Sequence, residues 1–291
     1  FSNTRFTYAG ITSTFYTKNN KFMVRTDGPD GKLRDYEIKY AFGVTPLQQY
    51  LVELDKGRLQ ALTIAWDTRP VAEGGQRWFH LYPGEEITYT DELHWTRTNF
   101  NWNAMCAECL STNLQERYDP DSDSYATTWD EIDVSCETCH GPGETHVINM
   151  LDESTDKGGL ITYSGDTPSP PDKQNSMCQG CHQGGMFQHW PASIHESEDL
   201  ACASCHTVHK PDKVRERTTQ TEVCFSCHKD IRAQTFRASR HPIRESKVIC
   251  SDCHNPHGSA GPANLKQLTV NENCYTCHAE KRGPFLWEHY P

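Results

Sequence analysis

The sequence predicts a two-part fold. A small antiparallel β module covers residues 1–100. A bridge at 101–135 then leads into a domain over 136–291 of short helices and loops with little regular secondary structure. Three observations point there. The first hundred residues contain strand-like runs separated by turn residues and no cysteine. All fourteen cysteines fall between Cys106 and Cys277. The mean hydropathy is -0.75, with only 35% hydrophobic residues in 291, which is too polar for a conventional core of that size.

In the β module, FTYAGITSTFYTKNNKFMVRTDG reads as two β-rich runs around a KNNK turn, and DYEIKYAFGV and RLQALTIAW read as further strands. PDGK and DKGR supply turns. Trp66, Trp78, Phe79 and Tyr82 are the expected core aromatics. Neither a nucleotide loop nor a Ser-His-Asp order is found, so this module is expected to be a scaffold or docking surface. In the bridge, Asp119, Asp121 and Asp123 alternate like the opening of a calcium loop, but Ser124 stands where glycine is needed, and a solvated hairpin turn is expected. Leu151–Asn175, rich in Gly, Pro and Asp, reads as a surface excursion.

Every cysteine belongs to a C-x-x-C pair: 106/109, 136/139, 178/181, 202/205, 224/227, 250/253 and 274/277. Six pairs are followed at once by histidine: His140, His182, His206, His228, His254 and His278. C-x-x-C-H is the signature of covalent c-type haem attachment. Two thiols two residues apart reach the two vinyl groups on one porphyrin edge, and the next residue offers its imidazole to the iron. The first cysteines are spaced 42, 24, 22, 26 and 24 residues apart. Zinc ribbons pair C-x-x-C units without requiring that histidine. A disulfide framework leaves it equally unexplained, and a redox dithiol needs only one pair. The expectation is six haem c groups, with Cys136, Cys139, Cys178, Cys181, Cys202, Cys205, Cys224, Cys227, Cys250, Cys253, Cys274 and Cys277 as attachment points. With so little chain per motif, the macrocycles themselves form the core of 136–291.

Cys106-Ala-Glu-Cys109-Leu110 lacks the histidine. Three readings stay open: a seventh haem with an unusual ligand or none, a local disulfide, or a relic. His94 and Met105 are the nearby candidate ligands for such a haem.

Electron-carrying haem usually has a second strong iron ligand. Of fifteen histidines, nine remain after the proximal six: His80, His94, His146, His189, His195, His209, His241, His257 and His289. His209 and His257 form C-H-x-x-H with His206 and His254, too close in sequence to reach the far face of their own haem, so each is expected to serve a neighbour. His195, His241 and His289 lie in short connections, and His146 follows a Gly-Pro turn. The expected distal set is His146, His195, His209, His241, His257 and His289, with His189, His94 and His80 as further candidates.

NWNAMCAEC, TTWDEIDVSCETCHGPGETH, MCQGCH, SIHESEDLACASCHTVH, CSDCHNPHG and CHAEKRGPFLWEHYP resemble periplasmic and extracellular multihaem cytochromes c. The resemblance is greatest to those with doubled C-x-x-C-H segments related to the decahaem electron-transfer subunits of respiratory reductases, and it covers essentially the whole chain. It implies a haem-packed fold and a respiratory electron carrier working with redox partner proteins. In that family the first pair typically reads CAECH, so Leu110 is a departure. Family members often carry further haem motifs on either side, which implies a chain shortened at both ends.

The leading expectation is electron transport through closely spaced bis-His haems, without substrate turnover. The alternatives are a multihaem reductase of nitrogen or sulfur compounds and a subunit of an extracellular cytochrome filament built from copies of this chain. Such reductases use Lys in place of a motif histidine, and C-x-x-C-K does not occur here. With 28 Lys and Arg against 39 Asp and Glu, the net charge of -11 disfavours nucleic acid. No apolar run is long enough to span a membrane. The attachment chemistry implies a periplasmic or extracellular location.

Overall fold

The computed structural model describes residues 1–152 and 158–284. The chain forms two compact units, Phe1–Gly141 and Pro142–Pro291.

The first unit is built on an antiparallel sheet of β1 (Thr4–Tyr8), β2 (Ile11–Lys18), β3 (Lys21–Asp27), β4 (Leu33–Phe42), β5 (Leu47–Leu54), β6 (Arg58–Ala61), β7 (Ile64–Asp67) and β8 (Arg77–His80). The order is β1-β2-β3-β4-β5-β7-β8, with β6 pairing along the other half of β5. The KNNK turn closes the β2–β3 hairpin. Lys18 pairs with Lys21, and Asn19 and Asn20 both adopt positive φ, as a two-residue hairpin loop twisted to match its strands requires. PDGK and DKGR likewise fall at the β3–β4 and β5–β6 connections. Tyr8, at the end of β1, stacks on His80 of β8 with ring centroids 3.7 Å apart. Its hydroxyl donates to the Tyr82 carbonyl at 2.6 Å, so the edges of the sheet curl together.

Strand alternation sends Phe15, Val24, Ile38, Tyr50, Val52, Leu62, Ile64 and Trp78 into one core, joined by Trp95. Phe15 stacks face to face on Trp78 at 3.7 Å. Of the expected core aromatics, Trp78 is buried, while Trp66 and Tyr82 pack partly buried against the two cores. Phe79 is only half-buried, because it points opposite to Trp78 on β8. Phe15, Trp95 and Trp102 carry more of the core than those residues do.

A second cluster, Leu51, Leu59, Ala61, Phe100, Trp102 and Ala107, seats α1 (Trp102–Met105) and α2 (Ala107–Leu110) on the sheet. Asn103 Oδ1 accepts from the Leu59 N–H at 2.7 Å, and the Gln60 amide donates to the carbonyls of Trp95 and Arg97. The DPDSDS segment is a hairpin, β9 (Tyr118–Asp119) with β10 (Ser124–Tyr125). Asp123 pairs with Arg58 and Lys56, and Asp119 accepts from the Asp121 N–H and the Ser122 hydroxyl. These carboxylates face partners from the protein, as a solvated turn does. Gly57 has positive φ, and a Cβ there would fall on the Tyr125 carbonyl, so glycine lets the hairpin close on the sheet. The unit ends in α3 (Cys136–His140).

The second unit holds α4 (Glu144–Leu151), α5 (Pro171–Gln179), α6 (Ile194–Ser197), α7 (Gln220–Phe225), α8 (Lys229–Gln234), α9 (Cys250–Cys253) and α10 (Val270–Tyr275), joined by loops and single 3-10 turns. The end of the expected surface excursion is helical instead. Pro171 opens α5, where a missing N–H costs nothing, and Gln174 and Asn175 are buried in it.

Phe15→Ala removes a fully buried ring from the main sheet core. It is expected to destabilise the first unit by about 3–5 kcal/mol, read as a lowered urea midpoint of the β signal in far-ultraviolet circular dichroism of the full chain.

Candidate functional site

The seven C-x-x-C pairs share one backbone device, a single helical turn. The residue after the second cysteine donates its N–H to the carbonyl of the first. This bond runs from His182 to Cys178 (2.9 Å), His206 to Cys202 (3.0 Å), His228 to Cys224 (3.0 Å), His254 to Cys250 (3.0 Å) and His278 to Cys274 (2.9 Å). Cys136–His140 is helical throughout. Leu110 makes the same bond to Cys106 at 3.1 Å, so the odd pair keeps the turn and lacks only the imidazole. One helical turn sets both sulfurs and the following side chain on the same side.

Buried amides and hydroxyls fix these turns, and sequence reasoning missed them. Asn175 Oδ1 accepts from the Cys202 N–H at 2.8 Å, and its amide donates to the Leu200 carbonyl. Gln220 Oε1 accepts from the Ser251 N–H at 3.1 Å. In both cases a polar residue three or four positions before one motif ties down the start of the next. In the first unit, Thr112 Oγ1 accepts from the Ser135 N–H at 3.0 Å and donates to the Asp133 carbonyl, pinning the entry to α3. The signal was present as an Asn or Gln just upstream of C-x-x-C.

These ties bring successive motifs side by side. The Cys178 thiol shares a hydrogen bond with Cys202, and Cys224 shares one with Cys250. The shared proton and burial push the Cys178 and Cys224 thiols well above the usual range. Cys205 lies within electrostatic reach of Cys227, as Cys253 does of Cys277.

The histidines fall into pairs. His195 and His228 have ring centroids 6.2 Å apart, His241 and His278 6.4 Å, and His206 and His257 5.9 Å. Two imidazoles bound trans to one metal, at about 2 Å per bond, have centroids about 6 Å apart. Each pair therefore leaves room for one ion between the rings. Among the described residues no three His, Cys, Asp or Glu side chains converge as zinc ligands would. Two trans imidazoles fit a metal whose other ligands come from a macrocycle.

Hydrogen bonds orient several rings. His195 Nδ1 donates to the Pro256 carbonyl at 2.8 Å, His254 Nδ1 to the Ala263 carbonyl at 2.9 Å, and His206 Nδ1 to Asp212 Oδ2 at 2.7 Å. An acceptor on Nδ1 fixes the proton there and leaves the Nε2 lone pair for a metal. Burial raises the Asp212 carboxyl, but the bonds from His206 and the Thr207 N–H outweigh it and hold the group below the usual range. His257 is half-buried between Phe187 and His206, and its Nδ1, shielded from solvent, has no hydrogen-bond partner. Burial, followed by the neighbouring His206, His195 and His182, lowers its pKa.

His189, one of the further candidates, lines a cavity of about 430 Å³ together with His254. Gly258 makes this approach possible. Its φ is +100°, and a Cβ there would fall on the His189 carbonyl. His146 lies on α4, and His209 lies in the loop after its motif. His289 lies outside the described residues.

His94 is one of the further candidates. It is buried in the first unit with both nitrogens engaged, Nε2 on Asp27 at 3.1 Å and Nδ1 on the Thr96 hydroxyl at 2.8 Å. Its role is to tie Asp27 of β3 to the segment after β8. His80 accepts the Tyr82 N–H on Nδ1 at 3.2 Å, which leaves its own proton on Nε2. Met105, beside the odd pair, is exposed. Cys106 packs against the second hydrophobic cluster, and burial, then Cys109, raises its thiol.

Comparison with known proteins adds an independent finding. Residues 195–233 and 241–283 match the family model described as doubled CXXCH motif. Residues 78–141 match that of cytochrome c554 and c-prime. The chain is a multihaem c-type cytochrome. It is 45% identical over 162 residues to the multiheme cytochrome MtrA of Shewanella baltica, which covers 54% of this chain and 46% of that protein. It is 24% identical over 161 residues to the cytochrome c-type protein NrfB of Escherichia coli, covering 53% of this chain and 80% of that one. To NrfB of Haemophilus influenzae it is 28% identical over 120 residues, covering 39% and 51%. The aligned part thus spans less than half of the MtrA sequence.

Gly258→Ala forces a strained φ and a clash with the His189 backbone. It is expected to cost about 1–3 kcal/mol and to speed amide exchange across residues 185–193 by mass spectrometry. Unchanged exchange there would mean that the close approach is not needed.

Proposed function

We propose that the chain carries electrons through an array of six covalently attached, bis-histidine c-type haems, one at each C-x-x-C-H motif. The observation that carries this reading is the set of three imidazole pairs at 5.9–6.4 Å, each containing one motif histidine and one histidine from elsewhere. His195 then serves His228, His241 serves His278, and His257 serves His206. His189 is assigned to His254 from the cavity they share. His146 and His209 remain as further ligands from the expected set.

When bound, the haem iron supplies a one-electron ferric–ferrous couple. The chain's residues do the rest. The cysteine pairs would hold each macrocycle, and the paired imidazoles would ligate its iron, which would leave no place for substrate there. The cross-braced turns hold adjacent attachment points together, as the Cys178–Cys202 and Cys224–Cys250 contacts indicate. Close spacing favours transfer along the array over side reactions in solvent. The polypeptide charge of -11, made about 6 units more negative by six ferric haems with ionised propionates, steers redox partners with basic faces. Covalent attachment of this kind is completed outside the bacterial cytoplasmic membrane, so the chain is assigned to the periplasm or beyond. No helix among the described residues is long and apolar enough to cross a membrane.

Intact mass under denaturing conditions tests the count, since six attached haems predict six equal increments. His195→Ala tests the pairing. It is expected to turn one haem in six high-spin in low-temperature electron paramagnetic resonance while the attached mass stays constant. An unaltered low-spin spectrum would reject the His195–His228 pair.

A further inference from the structure

The imidazoles of the motif histidines do not all face the same neighbour. His254 Nδ1 faces a neutral carbonyl, that of Ala263, at 2.9 Å. His278 Nδ1 is 3.6 Å from Glu280, with both side chains more than half exposed. His206 Nδ1 donates to the Asp212 carboxylate at 2.7 Å, with the two side chains 34% and 17% exposed. Asp212 is itself held in place, since its other oxygen accepts from the Thr207 N–H at 3.3 Å. Across the gap, His257 Nδ1 has no hydrogen-bond partner, so the strong charge-assisted bond on this pair comes from the Asp212 side alone.

Resting on the bis-histidine reading above, we propose that Asp212 is a positioning residue that makes the haem attached at Cys202 and Cys205 harder to reduce than the same haem without that carboxylate. A carboxylate on Nδ1–H gives the imidazole anionic character and makes its Nε2 a stronger donor. A stronger donor favours ferric over ferrous iron, as does a fixed negative charge in a partly buried site. The step is a one-electron reduction, ferric to ferrous, with the electron coming from the redox partner or from a chemical reductant in the assay. The Nδ1 proton stays on His206 and the charge stays on Asp212. The motif is the third of the six in chain order.

The test is a spectroelectrochemical titration of the haem-loaded full chain, wild type against Asp212→Asn, with electron paramagnetic resonance on the same samples. Asn keeps an acceptor for Nδ1–H and removes the charge. One haem is expected to become at least tenfold easier to reduce, equivalent to about 59 mV for one electron. Its low-spin signal should remain. Asp230→Asn, on α8, serves as a control for loss of one surface charge and should move no single haem by that amount. If the spectra are low-spin but no haem shifts more than twofold, or all shift alike, the role of Asp212 is overturned while the array stands. If the wild type lacks low-spin haem at this motif, the bis-histidine reading itself fails.

Discussion

The second unit has almost no apolar core of its own, and the rest of its organisation depends on that constraint. Among the described residues of this unit only Trp190, Ala201, Phe225 and Ile249 are fully buried apolar side chains. The first unit buries Phe15, Leu51, Trp78, Trp95 and Trp102 among many others. At about 25 cal/mol per Å² of buried apolar surface, so few side chains cannot offset the entropy of ordering a chain of that length. Attached macrocycles would supply the missing surface, and the cysteines would fix its position.

The same constraint explains why the second unit is assembled from single turns. A C-x-x-C-H turn needs one helical hydrogen bond and little more. Longer helices would need apolar faces that the sequence does not contain. Polar residues therefore carry the cross-bracing. Asn175 and Gln220 each satisfy an N–H near the start of the next motif, where in an ordinary domain side-chain packing would set the distance. The first unit solves a different problem, holding its own turns at Cys106 and Cys136 against a conventional core. His94 and His80 take part in that solution through their hydrogen bonds.

The attachment points were legible in the sequence because their chemistry is local, with two thiols and one imidazole within five residues. The hairpins were legible because Asn19-Asn20 and Asp55–Arg58 have few alternatives to turning. The axial partners were legible only in part. His195, His241 and His257 were expected as partners, and the structure brings each to a motif histidine. His189 was ranked below them because its approach to His254 depends on the positive φ of Gly258, and glycine in NPHG does not announce what it will touch. His94 stood among the candidates because composition cannot show that Asp27, 67 residues away, already holds it. Asp212, six residues after His206, was missed because a single acidic residue in a loop has no pattern around it.

Amide hydrogen exchange on the full chain, made with and without haem attachment, tests most directly whether the macrocycles are the interior of the second unit. If they are, the β1–β8 amides stay protected in both preparations, and those of residues 158–284 are protected only when haem is attached. Equal protection of that segment in the colourless protein would show that its side chains suffice to fold it, and would contradict the central claim.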